Sequence, residues 1–239
     1  PDMVLVVAHK PCYARTQPFT TATGGRALTE PVASQTVTLL DILRHATSAT
    51  HARLHTHALF ADLFAGSISR ADYTRLMARF WGFYAPLDTA IAHAIATGLP
   101  NVQHYEYVPR ALYLASDMVD LTAGALNPSE SPQCNRVSEI VTPATLGGVL
   151  YVIEGATLGA AQIDRAAQRL LGANGSEGRR FWAWGRAQNK HRWAMANNYL
   201  EHLAAQGVRA SDITLGAELT FAALADWLAP LDRVPGRTS

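Results

Sequence analysis

Residues 147–163 read Gly147-Gly148-Val149-Leu150-Tyr151-Val152-Ile153-Glu154-Gly155-Ala156-Thr157-Leu158-Gly159-Ala160-Ala161-Gln162-Ile163. Pro143 stands upstream, in a position that tolerates proline at the start of a helix, and the glycines of 172–178 follow downstream. The pattern predicts one long helix over about 143–171. Each glycine inside a helix costs ~1 kcal/mol against alanine. Something must offset Gly147, Gly148, Gly155 and Gly159. One reading is close helix packing, with two backbones brought together. The other is a flat ligand lying against the backbone, with room above it for a diatomic molecule. Glycine also permits a bend where a helix crosses a ring. The pattern alone leaves both readings open.

Working outward, the rest of the chain is also helical in character. Thr38 and Asp41 form a capping-box pair ahead of Leu39, Leu40, Leu43, Thr47 and Leu54 at helical spacing. Gly66 ends the next short segment. Ser69 and Asp72 open a helix with the stripe Tyr73, Leu76, Met77, Phe80, Phe83 and Tyr84. Pro86 is expected to kink or divide it before 87–96 continues. A helix is expected from Val108-Pro109 to about Leu121, then a loop over 124–137. Two more follow: about 179–206, with a break near Asn189, and 211–228, capped by Ser211 and stopped by Pro230. Residues 1–37, with Pro11, Pro18, Pro31 and Gly24-Gly25, keep no helical period and are expected to form an extended arm, with 4–7 as a short edge strand. The reading is all-α: an arm over 1–37 and a single multi-helix domain over 38–239.

Composition narrows the function classes. The chain has 239 residues, 49% apolar and only 16% charged, which is enough to bury a core. The net charge of +1 gives no footprint for nucleic acid. Forty-one alanines favour helix. No uninterrupted apolar run approaches the ~20 residues that span a bilayer, and 3–8 is too short for a signal peptide. The expectation is a cytoplasmic protein with no membrane partner. Cys12 and Cys134 make neither a disulfide framework nor a zinc motif.

Arg44 and His51 stand seven positions apart on the first helix. That is two turns, one face, and ~10.5 Å along the axis. An imidazole is a good axial ligand for iron, and a guanidinium forks to a carboxylate. The pair suits a planar cofactor with central iron and carboxylates at its rim. His55, one turn on, could chelate zinc with His51 or orient it from behind. No His-Glu-x-x-His pattern or third ligand supports zinc. A di-iron centre would want Glu-x-x-His pairs, but Glu201 and His202 are adjacent and Glu154 stands alone.

Both constellations fit one family. Leu43-Arg44-x-Ala46-Thr47-x-x-x-His51 resembles the proximal-helix motif of haem oxygenases, and Leu150-Tyr151-Val152-x-Glu154-Gly155-x-Thr157-Leu158-Gly159 resembles their distal-helix motif, closest to the bacterial biliverdin-producing branch. Weaker likenesses lie in 110–117, around Trp193, and at Thr220-Phe221 and Trp227-Leu228. Together they span roughly 38–229.

The resemblance implies His51 as the iron ligand. It places Arg44 and Tyr151, with Arg186 on a looser alignment, on the haem propionates. Gly155 and Gly159 would lie against the distal haem face, with Thr157 beside them. Two positions depart from the family: His55 stands where an acid is frequent, and Ala156 where Asp or Ser is frequent. The implied activity opens haem to biliverdin, CO and ferrous iron, with O2 and an electron donor such as a ferredoxin or flavin reductase. Supply to a biliverdin-using photoreceptor and iron acquisition are the two contexts implied. The alternative is a haem-binding sensor or carrier without ring opening. A thiaminase-like enzyme would want a nucleophilic cysteine in the helical core, where neither Cys12 nor Cys134 is expected.

Overall fold

The computed structural model describes residues 37–100, 103–172 and 175–231. The expected arm, apart from Val37, and its strand at 4–7 lie outside the described residues. Nine α-helices make up the described fold: α1 (Leu39–His55), α2 (Ala58–Ala65), α3 (Arg70–Ala96), α4 (Ala111–Thr122), α5 (Arg136–Ile140), α6 (Leu146–Gly155), α7 (Ala160–Leu171), α8 (Arg180–Ala205) and α9 (Ala210–Leu228). Short 3-10 turns occupy Pro128–Glu130, Ala156–Gly159 and Ala229–Leu231.

The local signals explain most boundaries. Thr38 and Asp41 form the reciprocal capping box on α1. Ser69 accepts from the Asp72 backbone at the start of α3, and Gly66 closes α2 in the left-handed conformation, at φ 76°. The aromatic stripe of α3 is buried throughout.

Carboxylates from neighbouring helices cap two others. The Asp88 Oδ2 of α3 accepts the backbone N–H groups of Arg110 (2.8 Å) and Ala111 (2.7 Å) at the start of α4. The Asp117 carboxylate of α4 accepts those of Arg180 (2.6 Å) and Phe181 (2.9 Å) at the start of α8. Each satisfies donors that a helix leaves unpaired at its N-terminus.

Four expectations are corrected. Of the two outcomes expected at Pro86, division does not occur: α3 runs on through it to Ala96. Pro86 leaves the Gly82 carbonyl without its helical donor, and the N–H of Cys134 fills that place at 2.9 Å. The loop therefore lies close on the helix: a Cβ at Gly82 would meet the Pro132 oxygen at 2.1 Å. Secondly, α8 runs unbroken past Asn189. Thirdly, α9 begins at Ala210, one residue before Ser211, so Ser211 does not cap it; an Arg209–Asp212 ion pair at 2.9 Å ties the first turn instead. Lastly, the long helix begins at Leu146, because Thr145 Oγ1 donates to the Ile140 carbonyl at 2.6 Å and holds a turn over 142–145. That helix is also interrupted by the 3-10 turn at Ala156–Gly159, the bend that the glycines permit.

Every residue of α6 is buried. It packs on α9 and α8, while α1 lies along α9, α4 on α3, and α7 on α8. The two readings of the glycines divide here. Gly147 and Gly148 serve helix packing: a Cβ on Gly148 would meet the Ile213 oxygen at 1.8 Å and the Ala217 nitrogen at 2.5 Å. Gly216 of α9 answers from the other side, 2.2 Å from the Thr145 oxygen by the same measure. Among the described residues, Leu146–Leu171 is the one helical span long and apolar enough to cross a bilayer. Its most apolar window is 78% buried inside the fold, as in a core helix.

Candidate functional site

Gly155 and Gly159 do not share the role of Gly147 and Gly148. They line a narrow cleft together with Ala156, Thr157 and Ala160 of the same bent segment. α1 supplies His51 and Leu54. Aromatic side chains fill much of the rest: Phe60, Phe80, Phe83 and Tyr84 from α2 and α3, and Phe181, Trp182 and Trp184 from α8. Phe221, Leu224 and Leu228 of α9 complete it, and the space between atoms, open mouth included, is ≈ 920 Å³.

His51 is half-buried. Its Nε2 lies 3.3 Å from His55 Nε2, and its ring meets Phe221 edge-on at 5.7 Å between centroids. The Thr157 hydroxyl donates to the Glu154 carbonyl at 2.6 Å, so toward the cleft it offers only lone pairs.

Arg44 and Tyr151 are not among the lining residues; they form a second group beside it. Tyr151 is 2% exposed. Burial pushes its hydroxyl pKa up, while a hydrogen bond with Thr47 and the charge of Arg44 pull it down. Arg44 pairs with Asp41 at 3.4 Å on the surface, yet its Nε is buried without a hydrogen-bond partner. Arg186 is also outside the lining. It follows the wall residue Gly185 and lies 2.9 Å from the buried carboxylate of Asp164, which Arg179 also holds.

Sequence reading missed a buried network behind Gly155. Glu154 is fully buried, and both its oxygens are taken. Oε2 receives Arg110, while Oε1 receives Arg192 at 2.7 Å and Tyr105 at 3.0 Å. Arg110 itself lines the cleft. The only signals were the place of Glu154 next to Gly155 and of Arg110 at the start of a stretch that resembles the family.

A flat iron macrocycle needs an axial donor, apolar walls, backbone it can approach and cations for its carboxylates. The residues present fit: one imidazole, a wall of glycine and alanine, aromatic flanks, and the orphaned Nε of Arg44. Among the described residues no group of three or more His, Cys, Asp or Glu could hold a bare metal ion.

The family model described as Heme oxygenase matches residues 37–229. The chain belongs to the haem oxygenase family. Its fold is similar to that of haem oxygenase-1 from the cyanobacterium Synechocystis sp. PCC6803, solved in complex with haem (TM-score 0.63, 17% identity, 81% of this chain and 91% of that one). It is equally similar to a domain of unknown function with a haem oxygenase-like fold from Shewanella denitrificans OS217 (TM-score 0.64, 11% identity, 82% and 92%). No curated protein matches the chain. At these identities the two structures speak for the fold alone.

Proposed function

We propose that this protein binds haem as its substrate and opens it oxidatively to biliverdin, CO and ferrous iron, as in the bacterial biliverdin-producing branch of the family. The observation that carries this reading is a single cleft lined by His51 and by both Gly155 and Gly159. Bound haem supplies the iron that activates O2 and the ring that is opened. The reducing electrons come from a donor such as a ferredoxin or flavin reductase, in the cytoplasm.

In this reading His51 is the iron ligand. Arg44 and Tyr151, near each other beside the cleft, hold propionate and so fix the rotation of the ring in its plane. Arg186 joins them only by giving up its ion pair with Asp164. Gly155 and Gly159 let the ring approach the backbone and leave space above it, and Thr157 offers lone pairs to a water there. The apolar, aromatic walls exclude bulk water.

A second reading, a haem-binding sensor or carrier, is favoured by one observation: Ala156 lines the cleft without any polar side-chain atom. One experiment separates the two. Hemin is added to the protein, followed by ascorbate or a ferredoxin reductase system in air. A Soret band that decays into the broad red absorption of biliverdin is the expected result. A Soret band stable under reductant would favour the sensor or carrier, and no Soret band would discard both.

A further inference from the structure

Arg110 is the one permanently charged side chain among the described residues lining the cleft. It is 1% exposed. Its guanidinium carbon lies over the rings of Tyr107 and Trp184, 4.7 Å from each centroid, and Trp184 is itself a wall residue. A guanidinium over an aromatic ring keeps its five N–H donors around its edge. Two acceptors are in place, the Val108 carbonyl and Glu154.

Glu154 does not belong to Arg110 alone. The same carboxylate receives Arg192, at 2.7 and 3.3 Å on its two oxygens, and Tyr105. Asp88, the other carboxyl near Arg110, is occupied by Tyr107 and by the backbone N–H groups of Arg110 and Ala111. The cation is thus fixed from both its backbone and its head, and N–H donors remain. In an apolar cleft a charged donor acts strongly on an anion and weakly on a neutral ligand. The neighbouring groups offer nothing comparable: Ala156 has no polar atom, and the Thr157 hydroxyl is spent on the Glu154 carbonyl.

We propose that Arg110, positioned by Glu154, makes the haem-loaded cleft select small anionic ligands over neutral ones. The inference rests on the haem-binding reading above.

The test uses the full chain loaded with hemin and reads absorption spectra. The ferric form is titrated with azide and the ferrous form with CO. Arg110→Leu is expected to weaken azide binding about tenfold or more, with CO affinity changed less than about twofold. Arg110→Lys, which keeps the charge and loses the fork, is expected to recover part of the azide affinity. Should Arg110→Leu fail to fold, Arg110→Gln removes the charge while Glu154 keeps Arg192 and Tyr105, and the same loss is expected. Azide affinity unchanged in a folded, haem-loaded variant that lacks the charge overturns the proposal and leaves haem binding intact. No Soret band in the unaltered protein would instead overturn the haem reading on which the proposal stands.

Discussion

The Nε2 atoms of His51 and His55 lie 3.3 Å apart, one turn along the same face of α1. One ring must donate and the other accept across this contact. An iron ligand needs a free lone pair on nitrogen, so iron binding through His51 Nε2 has to displace His55. Removing His55 should therefore spare the site, and removing His51 should destroy it. His51→Ala is expected to lose the axial-ligand spectrum of the hemin complex and most turnover. His55→Ala is expected to keep the Soret band. The opposite pattern would transfer the ligand role to His55.

Arg44 lies close enough to Tyr151 for its charge to lower the pKa of that hydroxyl. The two come from different helices, α1 and α6, and together they make a polar corner beside an apolar cleft. In the proposed function a propionate held there would fix the rotation of the ring in its plane. Arg44→Ala and Tyr151→Phe are expected to loosen hemin and to give a mixture of biliverdin isomers, with the arginine change the larger because it removes a charge-assisted bond. Chromatography of the product is the measurement. One unchanged isomer at unchanged hemin affinity would remove both residues from the site.

What the sequence revealed and what it hid follow from distance along the chain. The cap on α1 needs only Thr38 and Asp41, three residues apart, and the stripe on α3 needs only one helix, so both were legible. Ser211 resembled a cap until Arg209 and Asp212 were seen to tie the first turn between them. Glu154 read as solitary because its partners Arg110 and Arg192 are 44 and 38 residues away. The four glycines of 147–159 looked alike because each one's role depends on what packs against it. Only the position of α9 separates Gly148, which touches Ile213, from Gly155 and Gly159, which line the cleft. The motif around the cleft was visible, whereas the network that stiffens its wall was not.

That network is expected to dominate stability in this part of the fold. Glu154→Ala would leave Arg110 and Arg192, 1% and 3% exposed, without their shared carboxylate. Breaking a buried pair from one side costs about 3–5 kcal/mol, since a charge stays behind unpaired. Glu154→Gln keeps an acceptor and should cost less, about 1–3 kcal/mol. Denaturant unfolding of both variants measures this. A loss below about 1 kcal/mol for Glu154→Ala would mean that water or a rearranged Tyr105 satisfies the two guanidiniums.

Asp117 predicts a pH dependence of the opposite sense to a surface ion pair. The residue is fully buried, and burial pushes its carboxyl up to about 6, against the two backbone N–H groups of α8 and the charges of Arg180 and Arg179 that pull it down. The folded protein therefore holds this proton more tightly than the unfolded chain, whose carboxyl titrates near the ordinary 3.8. The stabilisation from that proton is complete below pH ~4 and is lost as pH rises through about 6. Asp117→Asn removes the titration and keeps an oxygen for the helix cap. Between pH 4 and 7 the unaltered protein is expected to lose on the order of 3 kcal/mol relative to Asp117→Asn. Unfolding curves of the two proteins at several pH values give that difference directly. A difference that stays flat, or that grows in the other direction, would show that the N–H groups of Arg180 and Phe181 outweigh burial and keep the carboxylate ionised.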